Sequence, residues 1–405
     1  MKKLLAIVLA LTMVFGLVAC SSGSKSNTAE TTAAAAGDTT AAAAASGTSG
    51  EEIKIGVVCP ISGNSAIAGK YITHGVKVAE SELGGKLTVN GVDHPLKFIY
   101  MDNEASEEKT TNVFQKLIEE EKVIAIVGPD MSKCALAAGS IAQNAGCPVC
   151  CTFATNTAVT QIGDYMFRAC FIDPFQGKVA ATYAWNAGYK TAAILFNNAD
   201  AYASGLTDAF VESYESLGGK IVGKEEYSGS DIKDYNVQLT KLAGTNPECV
   251  FFPNLLGEMG LQIQQARSVG MTCPILCGDS ADTPEVAQVA GPAVEGVHYV
   301  SAFSADSTDP AAVEFVKKYT AMNPNEKPNS NAELAYEATQ MVVNAIQNSS
   351  ELSRKGVRDA LATIKDLQVP SGKITVGEDR NPIKGAVIME YDKTGASHFV
   401  DAVNP

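Results

Sequence analysis

The sequence predicts an α/β protein with two parallel sheets, each flanked by helices on both faces. The first observation is a rhythm: from Glu51 onward, short apolar runs ending in Gly, Pro, Asp or a small polar residue alternate with patterns of period near 3.6. The second is size, because 405 residues with 46 % hydrophobic and 19 % charged side chains suffice for two or three domains with real cores and exclude a wholly disordered chain. The third is the tail, where Lys373–Val376, Ala386–Tyr391 and His398–Val400 lie between turns and read as short antiparallel strands.

Before the rhythm starts, two segments serve other ends. Lys2 and Lys3 precede the apolar run Leu4–Val18, too short for an ordinary membrane span, so residues 1–19 read as an export signal. Leu17-Val18-Ala19-Cys20, followed by Ser21-Ser22, resembles the lipobox of bacterial lipoproteins, in which cleavage before Cys leaves that thiol to carry lipid. The alternative is a plain secretory cleavage site. Residues 20–50 are then the lipidated Cys20 and a tether of Ser, Thr, Gly and Ala with nothing large to bury; its Ala runs are too short to make a stable isolated helix. No later stretch reaches the length of apolar chain that spans a bilayer.

In the first sheet, Ile53–Val58, Leu96–Met101, Val123–Val127 and Pro148–Phe153 are the strands, with Tyr71–Leu83 and Thr111–Glu120 among the helices. The second sheet takes Ala192–Phe196, Val250–Phe252, Pro274–Leu276 and Val297–Phe303, with helices at Ala209–Leu217 and Leu261–Val269. Gly84-Gly85 and Gly218-Gly219 follow helical patterns and read as helix stops. Ligands of open α/β sheets sit beyond the carboxyl ends of the strands. That rule selects Pro60–Gly63, Gly128–Ser132, Phe153–Thr155, Asn197–Tyr202 and Gly278–Ser280.

Charge and composition narrow the function. Lys and Arg total 31 against 45 Asp and Glu, a net −14, which repels phosphate backbones and excludes nucleic acid as a partner. The four histidines, His74, His94, His298 and His398, stand apart without metal-ligand spacing, and neither a nucleophile elbow nor a glycine-rich phosphate loop occurs. No enzyme, no metal and no cofactor is expected. After Cys20 nine cysteines remain, mostly in or beside the apolar strands, which reads as small core residues rather than a disulfide framework; Cys147-Pro148-Val149-Cys150 falls where a strand runs, with no helix N-terminus to activate a thiolate.

Gly56–Gly63, Gly69 and Gly75, then Val127-Gly128-Pro129 with Ser132, Ala154-Thr155-Asn156, Phe167-Arg168, Asp173, Gln176-Gly177, Asn198–Tyr202 and Gln265–Gly270 follow one another in an order and spacing that resemble the periplasmic leucine/isoleucine/valine-binding proteins of ABC transporters. The resemblance covers nearly the whole chain after Glu51. It implies a type I periplasmic binding protein fold, two doubly wound parallel-sheet lobes joined by three crossing segments. It further implies an N-lobe of residues 51–173 plus about 303–388, and a C-lobe of 174–302 plus about 389–405. A monomer is implied that closes on an amino acid and serves an ABC permease, extracytoplasmic and held to the cell membrane by lipid at Cys20.

An amino-acid zwitterion needs neutral donors or a helix N-terminus for its carboxylate and an ionised acceptor for its ammonium. Ser132 opens a helical run and is a candidate N-cap; by itself it either caps that helix or meets a carboxylate. The resemblance implies that Ser132 and Thr155, beside Phe153 and Ala154, bind the carboxylate, that Asp279 holds the ammonium and that Tyr202 closes on the ligand. Asp279 otherwise reads as a turn residue and Tyr202 as an aromatic packed at a helix start. Where the best-known relatives carry aromatic rings, this sequence has Ala68, Leu255 and Asn331, with Tyr71, Phe153 or Tyr336 as replacements. The pocket therefore suits a larger or more polar amino acid as well as leucine. Two further readings stay open: a ligand-sensing receptor domain, and a binding protein for an amide or aromatic acid.

Overall fold

The computed structural model describes residues 50–229 and 231–403; the export signal, Cys20 and the tether up to residue 49 lie outside them. Among the described residues no helix is long and apolar enough to cross a membrane.

Six strands make the first sheet: β1 Ile53–Cys59, β2 Lys86–Val89, β3 Val92–Asp102, β4 Ala125–Val127, β5 Val149–Cys151 and β6 Met166–Arg168, in the order β2-β3-β1-β4-β5-β6. All pairs are parallel except the hairpin β2–β3. Central strands are buried on both faces, which is why β1 and β4 are almost unbroken apolar runs. The second sheet has seven: β7 Thr191–Asn197, β8 Lys220–Tyr227, β9 Cys249–Phe252, β10 Ile275–Cys277 and β11 Val297–Ser301, later joined by β15 Ala386–Tyr391 and β16 Ser397–Val403. Its order is β16-β15-β11-β10-β9-β7-β8, parallel from β8 to β11 and antiparallel beyond. Between them in sequence, β12 Leu367–Val369, β13 Gly372–Val376 and β14 Pro382–Ile383 form a small antiparallel sheet.

Three elements had no clear mark in the sequence. The edge strand β8 reads KIVGKEEY, charged and half exposed, and β2 shows its apolar residues only in alternation. β6 has three residues and gains its place only by pairing with β5. Helices begin earlier than their apolar periodicity: the expected Tyr71–Leu83, Ala209–Leu217 and Leu261–Val269 start at Ala66, Ala201 and Leu256. The expected Thr111–Glu120 is helix Glu107–Gln115 running into a wider turn at Lys116–Glu120. Gly84 ends the first helix in the left-handed conformation at φ 60°.

The chain changes sheets three times: between β6 and β7, after β11, and before β15. β15 pairs with β11 from Ser301–Val387 onward, so the return to the second sheet is complete by Ala386, slightly before residue 388. Between the second and third changes, helix Ser330–Gln347 packs against helix Ala66–Leu83. The approach is backbone to backbone, since a Cβ on Gly75 would stand 2.0 Å from the Ala332 carbonyl oxygen. All nine cysteines among the described residues are free, eight of them buried, as expected of small core side chains.

Candidate functional site

Strand ends from both sheets converge on one cleft. The first sheet contributes Asp130, Met131 and Ser132 after β4, and Phe153 after β5. From the second come Tyr202 after β7, Leu255 and Leu256 after β9, and Asp279 and Ser280 after β10. Ala68 and Asn331 close it from the two packed helices. The rule that ligands sit beyond the carboxyl ends of parallel strands thus accounts for the position.

Asp279 is fully buried. Its Oδ1 accepts from the Tyr202 hydroxyl at 2.8 Å, and its amide donates to Gln176 Oε1 at 2.8 Å. Its other oxygen has no hydrogen-bond partner. Burial pushes the carboxyl up to about 7, working against the bond from Tyr202. Tyr202 owes its place to Asp200, whose carboxylate caps helix Ala201–Ser216 by accepting the amides of Tyr202 and Ala203. Gly278 leaves the room for this meeting: a Cβ there would lie 2.2 Å from the Tyr202 hydroxyl. Asp279 opens the single turn Asp279–Ala281 and Tyr202 is buried at the start of its helix, so each also holds the place its alternative reading gave it.

On the opposite wall, Ser132 is the first residue of helix Ser132–Asn144, and the N-cap is Met131, which gives no side-chain hydrogen bond. The expectation that Ser132 is the cap is therefore off by one residue. The chain stays extended through Met131, and the Ser132 hydroxyl instead accepts the Asn156 amide at 3.2 Å. No side chain caps the first amides of this helix, whose opening residues Met131 and Ser132 line the cleft, an arrangement suited to an anion.

Ala154 and Thr155 are fully buried just behind Phe153 and do not line the cleft. The buried Arg168 guanidinium donates to the carbonyls of Ala154 and Asn156 and so fixes this turn. The Thr155 hydroxyl has no partner, and its carbonyl accepts the Asp173 amide at 3.1 Å. Asp173 is another buried carboxyl, raised to about 7 by burial and by its neighbour Asp279.

Of the three positions that replace aromatic rings, all line the cleft, and Phe153 is the aromatic that joins them. Tyr71 and Tyr336 do not: Tyr71 lines a different cavity, and the Tyr336 hydroxyl donates to Glu82. The Asn331 amide group donates to the Asp282 carbonyl at 3.3 Å, beside a buried Asp282 whose carboxylate accepts from Ser301 and Ser330. The sequence reading omitted Asp130, Met131, Leu256 and Ser280 as ligand contacts, although three of them fall inside turns that the strand-end rule had selected. Among the described residues no group of three His, Cys, Asp or Glu side chains is placed to hold a metal. His74 and His398 each pair with one carboxylate, Glu326 at 2.8 Å and Asp392 at 2.9 Å.

The family model described as periplasmic binding protein matches residues 52–396. A Pseudomonas aeruginosa protein named amino acid binding protein is 30 % identical over 241 residues, 59 % of this chain and 64 % of its own length, so the chain spans less than two thirds of that relative. The leucine-binding protein of Thermotoga maritima superposes with a TM-score of 0.82 at 29 % identity, covering 87 % of this chain and 99 % of the other. A branched-chain amino acid transporter substrate-binding protein of Streptococcus pneumoniae, solved with isoleucine, gives 0.79 at 30 % identity, covering 86 % and 99 %. Together with two sheets whose carboxyl ends face one cleft, these matches place the chain in the periplasmic binding protein family.

Proposed function

We propose that this protein captures an amino acid between its two lobes and hands it to an ABC permease, tethered outside the membrane by lipid on Cys20. The ligand docks first on the N-lobe, its carboxylate at Ser132 and the first amides of helix Ser132–Asn144, with Thr155 supporting the turn. The C-lobe then closes with Tyr202 and Asp279, and the closed form is the one a permease recognises. The lobes divide at the three changes of sheet, and the protein acts as a monomer.

One observation carries the amino-acid reading: a fully buried Asp279 in the cleft wall with a carboxylate oxygen that has no partner. A buried carboxylate left unpaired is costly, and an ammonium is the group that relieves it. Mass spectrometry of ligand released from protein purified without refolding tests this reading, and recovery of a ligand without an amine refutes it. The anchor is tested separately by Cys20→Ala, which moves the protein from the membrane fraction to the medium with ligand affinity unchanged.

A second reading draws on the same carboxyl. Since burial raises Asp279 to about 7, its protonated form can donate to an amide or aromatic acid. For such a ligand Asp279→Asn is neutral or favourable, the opposite of what an ammonium demands. A receptor domain that passes occupancy to a partner protein would use the same cleft, and a co-purified partner in place of a permease distinguishes it.

A further inference from the structure

The ammonium accounts for one of two acids in the cleft wall. Asp130 lines the same cavity from the opposite lobe, in the turn between β4 and helix Ser132–Asn144. It is 5 % exposed, and its buried Oδ1 has no hydrogen-bond partner. Burial raises its carboxyl to about 6, against the hydrogen bonds from its own and the Met131 amide and the attraction of Lys133. Nothing in the binding of an α-carboxylate and α-ammonium uses it; it stands two residues before Ser132, where an ionised, unpaired acid would repel the ligand's carboxylate.

The rest of the side-chain end is Ala68, Phe153, Leu255, Leu256 and Asn331, and Asn331 is already engaged with Asp282. A leucine or isoleucine side chain would pack on the apolar members and leave Asp130 Oδ1 without a partner. A side chain ending in a hydrogen-bond donor would pack on them and satisfy it as well.

Resting on the amino-acid reading above, we infer that Asp130 reads the ligand's side chain, and that the ligand is an amino acid whose side chain ends in an N–H donor, an ammonium or an amide, rather than in a branched hydrocarbon. Removing a buried acceptor from such a bond weakens binding about 10- to 100-fold, whereas an apolar side chain loses nothing by it.

Calorimetry of the full-length, ligand-stripped protein tests this with leucine, isoleucine, glutamine, asparagine, lysine and ornithine, on wild type, Asp130→Asn and Asp130→Leu. Wild type should bind at least one donor-bearing amino acid about tenfold or more tighter than leucine and isoleucine. Asp130→Asn, nearly isosteric, removes the charge and keeps an acceptor, so it should shrink a preference for an ammonium side chain about 10- to 100-fold, leave one for an amide side chain little changed, and not lower the thermal midpoint. Asp130→Leu should turn the preference toward leucine. If lysine and ornithine lose affinity in Asp130→Asn, the donor is an ammonium; if glutamine and asparagine keep theirs in Asp130→Asn and lose it in Asp130→Leu, the donor is an amide. Leucine or isoleucine bound tightest by wild type, or equal losses for all ligands in Asp130→Leu, overturns the role of Asp130 and leaves the amino-acid reading standing. If no amino acid binds and Asp279→Asn changes nothing, the amino-acid reading itself falls, and this inference with it.

Discussion

Asp279→Asn should weaken amino-acid binding and stabilise the empty protein at the same time. The substitution keeps the shape, an acceptor for the Tyr202 hydroxyl 2.8 Å away and the backbone bond to Gln176, but removes the charge. An ammonium enclosed beside the variant's neutral amide would lose its counterion, and with a charged hydrogen bond the loss is about 2–4 kcal/mol, a factor of about 30 to 1,000 in Kd. Without ligand the sign reverses. The folded carboxyl titrates near 7 and its ordinary value is 3.8, so ionising it inside the fold costs about 4 kcal/mol as a ceiling. Because the folded value is the raised one, that cost is absent below the ordinary value, grows as pH rises and is complete above about 7. Asp279→Asn should therefore raise the thermal midpoint of empty protein at pH 8 and have little effect near pH 4. In wild type, binding below pH 7 should expel a proton from Asp279, so affinity should fall as the pH is lowered from 7 to 5. Calorimetry in buffers of different ionisation enthalpy reads the proton, and scanning calorimetry reads the midpoint. Equal affinity of wild type and variant for every amino acid, or a lower midpoint at pH 8, would refute the reasoning.

Three further outcomes follow from the packing. Gly278→Ala sets a Cβ 2.2 Å from the Tyr202 hydroxyl, so affinity should drop and denaturant melts should show a loss of about 1–3 kcal/mol. Lys384→Met removes the buried cation 2.7 Å from Glu337 and 4.0 Å from Glu333, and melts at pH 7.5 should show about 3–5 kcal/mol of destabilisation. Burial opposes the Glu337 charge, yet Lys384 and Ser371 hold its carboxyl below the ordinary 4.5; its stabilisation is present above that value and lost as pH falls, so the variant's deficit should shrink at pH 4. A thiol reagent should leave native protein almost untouched, Cys273 excepted, because burial pushes Cys59, Cys134, Cys147, Cys151, Cys170 and Cys249 up to about 12. Denatured protein should label at the nine described thiols without reductant, and dependence on reductant would contradict the free-thiol structure.

Much of this molecule was legible along the chain. Buried parallel strands must be apolar on both faces, so β1, β4, β7, β9 and β10 announce themselves as runs, and Gly after a helical pattern marks its end. The ends of those runs in turn located Ser132, Tyr202 and Asp279, because an open sheet of that kind leaves its binding crevice there. What only the tertiary structure decided depends on neighbours remote in sequence. β6 exists because β5 offers it a ladder, and the first turn of helix Ala201–Ser216 is held by the Asp200 cap and the Tyr202–Asp279 bond rather than by an apolar stripe. Asp130 looked like one polar residue in a turn of several; packing makes it distinct, by burying it at the cleft wall with an oxygen that nothing in the chain satisfies. Sequence periodicity reports which side chains leave water, whereas the partner that a buried polar atom finds, or fails to find, is set by the fold as a whole.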